Sequence, residues 1–548
     1  MIRSDILRIY KTVHTWTGIT CGFALFIAFY AGALTMFREP IARWASPPAV
    51  GAAAVPLDDS AELIERVAAE HPEAREEGIT LHLRGHENEP ARVTWVEDTP
   101  HAPGQPHGHV HWWGTLKSDG TLLTKQEEPS ELAEFVDEVH RQVGIPDPWG
   151  SYFMGMVSLL YGVALIAGVI MLLPTLVADF FALRVGKNLK RMWQDAHTIV
   201  GITSLPFHIV MAVTATSFGF GAVLWSAQDS VIYGGKQWSV IQKFWAPTRP
   251  PKPTGEMAPM LPPAQLLKRL QAQAPGYAPD AMTFYNTGDI SAAVKFSGAE
   301  PGYVGDTFLT SVTLSAVSGD MLGDFSPSRQ EPWWRIDMVI DGLHFGQYGG
   351  TTIKWAYFFL GLAGAWLFYS GNLLWVETRR KRARKDGETP QQRRDTYWLA
   401  AGTVGVCLGC VAGLSATIVA AKWLHGHVGD LNRWHEVVYY AVFFACIGWA
   451  FARGAAQASV ELLWLCAAAT VAIPLTTLGA LLLPSLGIWA HGSAATIGVD
   501  VVAFIGAWCF AWIARATARR VKHGPADSVW SEQRARQTSA TRPAVRKT

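Results

Sequence analysis

The chain has 548 residues and a formal net charge of +1, with 49% apolar and 17% charged residues. The balanced charge gives no support to a nucleic-acid-binding protein, because the basic residues cluster only beside apolar runs. The apolar fraction and the 24 Trp indicate a membrane protein that also carries water-soluble parts.

The predicted membrane spans are apolar runs of about 20 residues, the length that a helix needs to cross the hydrocarbon core. About eight such runs are present, and the sixth is short enough to be an interfacial helix instead. They cover residues 13–37, 150–174, 197–225, 350–376, 397–421, 433–452, 458–484 and 495–516. The sequence therefore predicts a polytopic α-helical membrane protein.

The predicted orientation follows from basic residues, which concentrate in the short cytoplasmic segments of membrane proteins. Such residues precede the first span, lie between the second and third, and follow the fourth and the last. All of these segments face one side if both termini are cytoplasmic, as expected for a multi-pass protein of the bacterial inner membrane. The first span is expected to be an uncleaved anchor, because its apolar run is too long for a signal peptide.

Two large polar loops, residues 38–149 and 226–349, are predicted to be periplasmic α+β domains. Each contains a helical pattern, SAELIERVAAEHPEA or PAQLLKRLQAQAPG, followed by alternating strand patterns. The order of span, small domain and span therefore occurs twice. The other segments are the spans within 1–37, 150–225 and 350–376, a basic loop at 377–396, an appended bundle of spans at 397–516 and a cytoplasmic tail at 517–548.

Histidines recur at matching positions of the two repeats. HTWTGIT at 14–20 and HTIVGIT at 197–203 share five letters, and they place His14 and His197 at the cytoplasmic mouths of spans one and three. His140 and His344 lie in short helical stretches just ahead of spans two and four. His208 follows His197 by 11 residues, which on one continuous helix corresponds to roughly 16 Å along a shared face.

Ionisable residues at membrane depth are costly, and they are functional candidates by default. A zinc or copper site needs three or four convergent ligands, whereas haem needs one or two axial imidazoles among apolar and small side chains. Glycines in the first, second and fourth spans leave room for close helix packing or for a flat macrocycle. The pattern predicts two haems at two depths, with an ordinary interfacial role as the alternative for each histidine. His14 and His197 are expected on the cytoplasmic side, and His140, His208 and His344 compete for the outer side.

A second histidine group lies in the first loop. His107, His109 and His111 alternate, so on a strand they share a face and could bind a metal ion or an iron chelate. A solvated loop that leads into a strand is the alternative interpretation. The six Cys all fall in apolar runs, which favours small buried side chains over disulfides.

A third histidine group lies at the outer edge of the appended bundle, in the stretch WLHGHVGDLNRWHEVVYY. It contains His425, His427 and His435. A further haem, quinone or metal site is one interpretation of this stretch, and ordinary polar residues at the end of a bundle are the other.

Several of these motifs together resemble the PepSY-associated transmembrane family. They are the H-x-x-x-G pattern of span one with its ending GALTMFREPIARW, the second copy HTIVGITSLPFH, and the LH…G element before span four. The resemblance covers about residues 1–380, and both loops resemble PepSY modules. Members of the family include inner-membrane ferric-siderophore reductases, which hold b-type haems between their helices.

The resemblance implies a membrane oxidoreductase that passes electrons to a ferric siderophore or another iron chelate in the periplasm. It implies haem b, most simply two haems, with His14 and His197 as inner ligands and His208, His140 and His344 supplying the outer ones. No Rossmann or flavin motif occurs in the short cytoplasmic segments, so a membrane quinol or a separate protein is the expected electron donor. The alternatives are a non-enzymatic PepSY sensor or inhibitor module on a membrane anchor, and a transporter of iron, copper or a siderophore.

Overall fold

The computed structural model describes most of the chain, including every predicted span. The described residues are 3–48, 55–83, 91–98, 109–117, 119–127, 130–177, 189–245, 250–304, 310–382 and 390–532. Their helices are α1 (Ser4–Thr35), α2 (Arg38–Ala45), α3 (Ser60–Glu70), α4 (Ala74–Glu77), α5 (Leu132–Gln142), α6 (Trp149–Leu172), α7 (Leu189–Thr203), α8 (Leu205–Gly219), α9 (Gly221–Gln228), α10 (Gln237–Trp245), α11 (Pro263–Gln273), α12 (Pro332–Phe345), α13 (Gly350–Thr378), α14 (Arg394–Trp423), α15 (Leu431–Arg453), α16 (Ala455–Leu482) and α17 (Ala494–His523).

Seven of these helices are long and apolar enough to cross a membrane, namely α1, α6, α13, α14, α15, α16 and α17. A bent pair, α7 and α8, also satisfies the criterion when its two helices are taken together, so up to eight spans are present. The protein is therefore a multi-pass membrane protein. The short sixth candidate forms the 23-residue helix α15.

The third predicted span is not one continuous helix. Its axis bends by 70° at the break between α7 and α8. Pro206 explains the break, because proline has no N–H for the helical ladder and disfavours helical geometry at the residue before it. The expectation that His197 and His208 share a face roughly 16 Å apart on a straight helix is therefore wrong.

The two polar segments contain the predicted order of helix and strands, but they form a single sheet. The strands are β1 (Ile79–His82), β2 (Val93–Asp98), β3 (His109–Leu116), β4 (Leu122–Glu127), β5 (Ala278–Tyr285), β6 (Ala293–Ala299), β7 (Ser311–Ser315) and β8 (Met321–Asp324). Their order across the sheet is β4-β3-β2-β1-β5-β6-β7-β8, and all neighbours are antiparallel. This order is symmetric about the β1–β5 junction, as expected if two equivalent repeats pair edge to edge.

One apolar core lies beneath this sheet and draws side chains from both repeats. Leu63 and Ile64 of α3 pack in the same cluster as Leu266 and Leu270 of α11. Each of the four is at most 1% exposed. Alternate residues of β1 and β5, such as Leu81 and its register partner Met282, point into this core.

The helices form two groups that meet along α1, α13 and α14. In the first group α1 packs against α6 and α13, α8 packs against α6, and α7 packs against α13. In the second group α14 packs against α15 and α16, and α16 packs against α17. The short helix α5 lies between the groups, in contact with α1, α2, α6, α14 and α15. This arrangement places the predicted histidines of α1, α5, α7 and α12 around the first group.

Candidate functional site

His14 of α1 and His197 of α7 form a pair. Their ring centroids are 6.4 Å apart and the ring planes cross at 79°. His14 Nδ1 lies 2.8 Å from the carbonyl oxygen of Ala164 on α6. A carbonyl oxygen can only accept, so Nδ1 of His14 carries the proton and Nε2 is left with a free lone pair.

A hydrogen bond to a serine gives His197 the same tautomer as His14. Its Nδ1 lies 3.0 Å from Oγ of Ser370 on α13. The Ser370 hydroxyl donates its own proton to the Leu367 carbonyl oxygen, 3.0 Å away. Ser370 Oγ therefore accepts from His197 Nδ1–H, and Nε2 of His197 also keeps a free lone pair.

His140 of α5 and His344 of α12 form a second pair, with ring centroids 6.1 Å apart and an interplanar angle of 42°. His140 Nδ1–H donates to the Ala28 carbonyl oxygen on α1 at 2.7 Å. His344 Nδ1 lies 2.8 Å from Oγ1 of Thr214, whose hydroxyl donates to the Val210 carbonyl oxygen. Thr214 Oγ1 therefore accepts from His344, and both rings again keep Nε2 as a free lone pair.

The two pairs lie at different depths along α1. His14 itself belongs to the first pair, whereas Ala28, fourteen residues later, holds His140 of the second. A continuous helix rises about 21 Å over that interval. The candidate site therefore consists of two imidazole pairs at two levels.

Two glycines allow the rings to approach the helices. A Cβ at Gly32 of α1 would lie 2.8 Å from Cε1 and Nδ1 of His140. A Cβ at Gly168 of α6 would lie 3.1 Å from the same atoms of His14. Neither helix could carry a larger residue here without moving the imidazole.

The ring spacing of each pair matches that of two imidazoles on opposite sides of one metal ion. Two imidazoles that bind one metal through bonds of about 2.0 Å place their ring centroids roughly 6 Å apart. The measured separations of 6.4 and 6.1 Å agree with this arrangement. Two imidazoles lie together at each level. Axial ligation of haem uses one or two imidazoles.

His208 of α8 lies in the aromatic packing around these pairs and is 1% exposed. Tyr161 hydroxyl oxygen lies 2.5 Å from His208 Nδ1. The ring centroid of Phe29 is 5.5 Å from that of His208, and Phe207 is 5.6 Å away. His208 Nε2 is buried without a hydrogen-bond partner among the described residues. No second imidazole pairs with His208 there in the way that His14 and His197 pair.

The other two histidine groups lie on or just before β3, and just before or at the start of α15 in the appended bundle. His109 and His111 lie on β3, opposite Asp98 and Val96 of β2 in the strand register, and His107 lies outside the described residues. In the appended bundle the His425 ring packs against Trp489, His427 Nδ1 bonds the His425 carbonyl oxygen, and His435 is fully buried. The additional metal, haem or quinone sites at these groups remain predictions.

Sequence reasoning missed the residues that orient the paired imidazoles. Ser370 and Thr214 hold two of the rings, and the Ala164 and Ala28 carbonyls hold the others. Two hydroxyls within apolar spans were a usable signal, because polar side chains at membrane depth bond across helices. The two backbone acceptors could not be identified from the sequence, because every residue carries a carbonyl group.

The comparison with known proteins agrees with the resemblance read from the motifs. Residues 11–378 match the PepSY-associated TM region, which is more than half of the chain. An uncharacterized protein of Pseudomonas aeruginosa is 24% identical over 238 residues, a stretch that covers 42% of this chain and 60% of that protein. The matched family region, residues 11–378, contains His14, His140, His197, His208 and His344. The chain belongs to the PepSY-associated transmembrane family.

Proposed function

We propose that the protein is a haem-containing reductase of the bacterial inner membrane that passes electrons to a ferric siderophore in the periplasm. The observation that supports this proposal most is that four histidines adopt the same tautomer. His14, His197, His140 and His344 each commit Nδ1–H to an acceptor on another helix and keep Nε2 as a lone pair. Ligating histidines in proteins are oriented in this way.

In this proposal His14 and His197 hold one haem b and His140 and His344 hold a second. A bound haem supplies one-electron transfer, with a potential set by its axial ligands and surroundings. The chain's own contribution is orientation, since each Nδ1 bond fixes both the tautomer and the direction of its ring. Helix α1 packs against both α6 and α13 beside the two pairs, and the four paired histidines are partly buried.

Both termini are cytoplasmic in this proposal, and the sheet of β1–β8 faces the periplasm, where it offers a docking surface for the iron chelate. Reduction of the bound Fe(III) to Fe(II) weakens its hold on hard oxygen ligands, so electron transfer alone releases the iron. Such a reaction needs no general acid or base. The electron donor is a membrane quinol or a separate protein.

Electron transfer across a sealed membrane tests this function. The protein is reconstituted into liposomes with dithionite sealed inside, and a ferric tris-hydroxamate complex is added outside with a chromogenic Fe(II) chelator. Fe(II) is expected to form with the wild-type protein, and to fall to the level of empty liposomes with His197→Ala and His140→Ala. His523→Ala is the matched control, because His523 is exposed at the end of α17 and belongs to none of the candidate sites. Equal rates of Fe(II) formation with the wild-type protein and all three variants would contradict the proposal.

A further inference from the structure

His208 is the one histidine of the first helix group that stands outside the two pairs. Its ring is 1% exposed and is surrounded by aromatic side chains on three helices, with Phe29 from α1, Tyr161 from α6 and Phe207 from α8. Phe29 follows Ala28, the residue that holds His140, and Tyr161 lies one turn from Ala164, which holds His14. His208 is therefore packed between the two levels.

The contact with Tyr161 decides where His208 carries its proton. The Tyr161 hydroxyl oxygen lies 2.5 Å from His208 Nδ1, and within the described residues no other acceptor is bonded to it. If Tyr161 donates to Nδ1, one buried group is left unpaired, the Nε2–H. If Nδ1–H donates to Tyr161 instead, both the Tyr161 proton and the Nε2 lone pair are left unpaired. The first arrangement is favoured, because buried polar groups in proteins are nearly always hydrogen-bonded.

This tautomer, with the proton on Nε2, is the opposite of the tautomer of the four paired histidines. They present a lone pair at Nε2, whereas His208 presents an N–H donor there. A nitrogen that carries a proton cannot bind a metal ion. The ring centroids of Phe29, Tyr161 and Phe207 lie 5.5, 6.0 and 5.6 Å from that of His208.

His208 Nε2–H nevertheless needs an acceptor, and the described part of the chain supplies none. We infer that His208 is not a third axial ligand, and that it donates a hydrogen bond from Nε2 to an acidic group of the cofactor bound between the helices. The carboxylates of haem are acceptors of this class. This inference rests on the proposed function, and it makes His208 a positioning residue, with Tyr161 holding its proton on Nε2.

The hydrogen bond has a consequence for the reduction potential. A donor that points at a carboxylate offsets part of its negative charge, and this favours the reduced haem, which carries one positive charge less on iron. Removal of the donor is expected to lower the ratio of reduced to oxidised haem at a fixed potential by about threefold to tenfold. A residue that only fills space can change the potential through solvent access, but a substituted hydrogen-bond donor would not restore it.

The test is a spectroelectrochemical titration of purified full-length protein, with haem counted per chain. His208→Leu is expected to keep two haems while the midpoint potential of one of them becomes more negative. His208→Gln, whose amide N–H can replace Nε2–H, is expected to restore the wild-type potential. Tyr161→Phe is the second variant in case His208→Leu does not fold, and it is expected to shift the same potential in the same direction.

Three outcomes would overturn the inference. Loss of one haem in both His208→Leu and His208→Gln would make His208 a ligand. Two haems with unchanged potentials in His208→Leu, or in Tyr161→Phe, would make His208 a packing residue whose N–H faces an aromatic ring. Wild-type protein that holds no haem would overturn the proposed function and this inference together, whereas the first two outcomes leave the proposed function standing.

Discussion

Each paired imidazole is held by a residue on a different helix from its own, so packing of the helices and orientation of the rings are coupled. Ala164 on α6 holds His14 of α1, and Ser370 on α13 holds His197 of α7. A neutral imidazole has one donor nitrogen and one acceptor nitrogen, so a committed Nδ1–H leaves Nε2 as the nitrogen with a free lone pair. The orienting groups are therefore as important to a metal site as the ligands themselves.

Thr214 offers a test of this orienting role. We expect Thr214→Val, which keeps the shape and removes the acceptor of His344 Nδ1–H, to weaken haem binding about 10-fold to 100-fold at one site. The matched control is Thr216→Val on the same helix, because Thr216 bonds only the Ala212 carbonyl oxygen within the described residues. Haem titration of the two variants provides the measurement. The role is excluded if both variants bind haem as the wild type does.

Gly32 offers a steric test of the same level. An alanine Cβ would lie 2.8 Å from Cε1 and Nδ1 of His140, so Gly32→Ala must displace the ring from the Ala28 carbonyl oxygen. We expect the variant to lose one haem per chain and to keep the other. Gly448→Ala on α15 is the control, since a Cβ there meets no described atom within 4 Å. Full haem content in Gly32→Ala would show that His140 is not a ligand.

At the scale of elements, the appended helices hold the segment that joins α1 to the sheet. Trp44 of α2 is 1% exposed, and its Nε1–H donates to Asp500 of α17 at 3.0 Å. Lys422 of α14 is equally buried, with Nζ 3.6 Å from the Trp44 ring centroid and 3.1 Å from the Trp489 carbonyl oxygen. The appended bundle therefore fixes α2, and through the packing of α2 on α5 it also supports the helix that carries His140.

Substitution of Lys422 tests this contact between the helix groups. Lys422→Met keeps the chain length but removes the cation over Trp44 and the donor to Trp489. A desolvated cation–π contact contributes about 2 kcal/mol or more, so we expect a clear fall in the thermal unfolding midpoint. Lys268→Met, at an exposed position of α11, is expected to leave the midpoint nearly unchanged. Similar midpoints for both variants would argue against the contact.

His491 makes the same region sensitive to pH. Its Nε2–H donates to the Ser46 carbonyl oxygen at 2.8 Å. Burial, with smaller effects from the charges of Arg43 and Lys422, lowers the pKa of His491 to about 4. Because the folded-state pKa lies below the usual 6.5, neutral His491 contributes stability above pH 6.5 that is lost as the pH falls from 6.5 toward 4.

The measurement is the unfolding midpoint at pH 7.5 and at pH 5. We expect the midpoint of the wild-type protein to fall between these values, and the fall to be smaller in His491→Gln, which can donate to Ser46 but cannot become charged. His427→Gln, at an exposed position, should behave as the wild type. An equal fall in wild type and His491→Gln would assign the pH dependence to another group.

For the whole molecule, the duplicated sequence pattern predicted the helices and strands better than it predicted how they pack and pair. The apolar runs predicted the spans because length and composition determine them locally. The pairing of β1 with β5 could not be read from the sequence, since it joins edges about 200 residues apart and any exposed edge strand offers the same backbone groups. Pro206 is a local sequence signal for the break in the third span. The continuous apolar run around it nevertheless favoured a single unbroken span.

The histidine repeat predicted the candidate residues, but it did not predict which of the outer candidates lie together. It identified His14, His197, His140 and His344 as equivalent positions, and the structure brings them together as two pairs. It could not choose among the outer candidates, because the choice depends on packing between α5, α8 and α12. That packing comes from contacts between segments far apart in the chain.

The most direct test of the central claim is the number of haems per chain, measured with a visible spectrum on purified wild-type protein and on histidine variants. We expect two b-type haems with the spectrum of paired imidazole ligands. One haem should be lost in His14→Ala or His197→Ala, and the other in His140→Ala or His344→Ala. A colourless protein that takes up no added haem would contradict the account, and so would full haem content in all four variants.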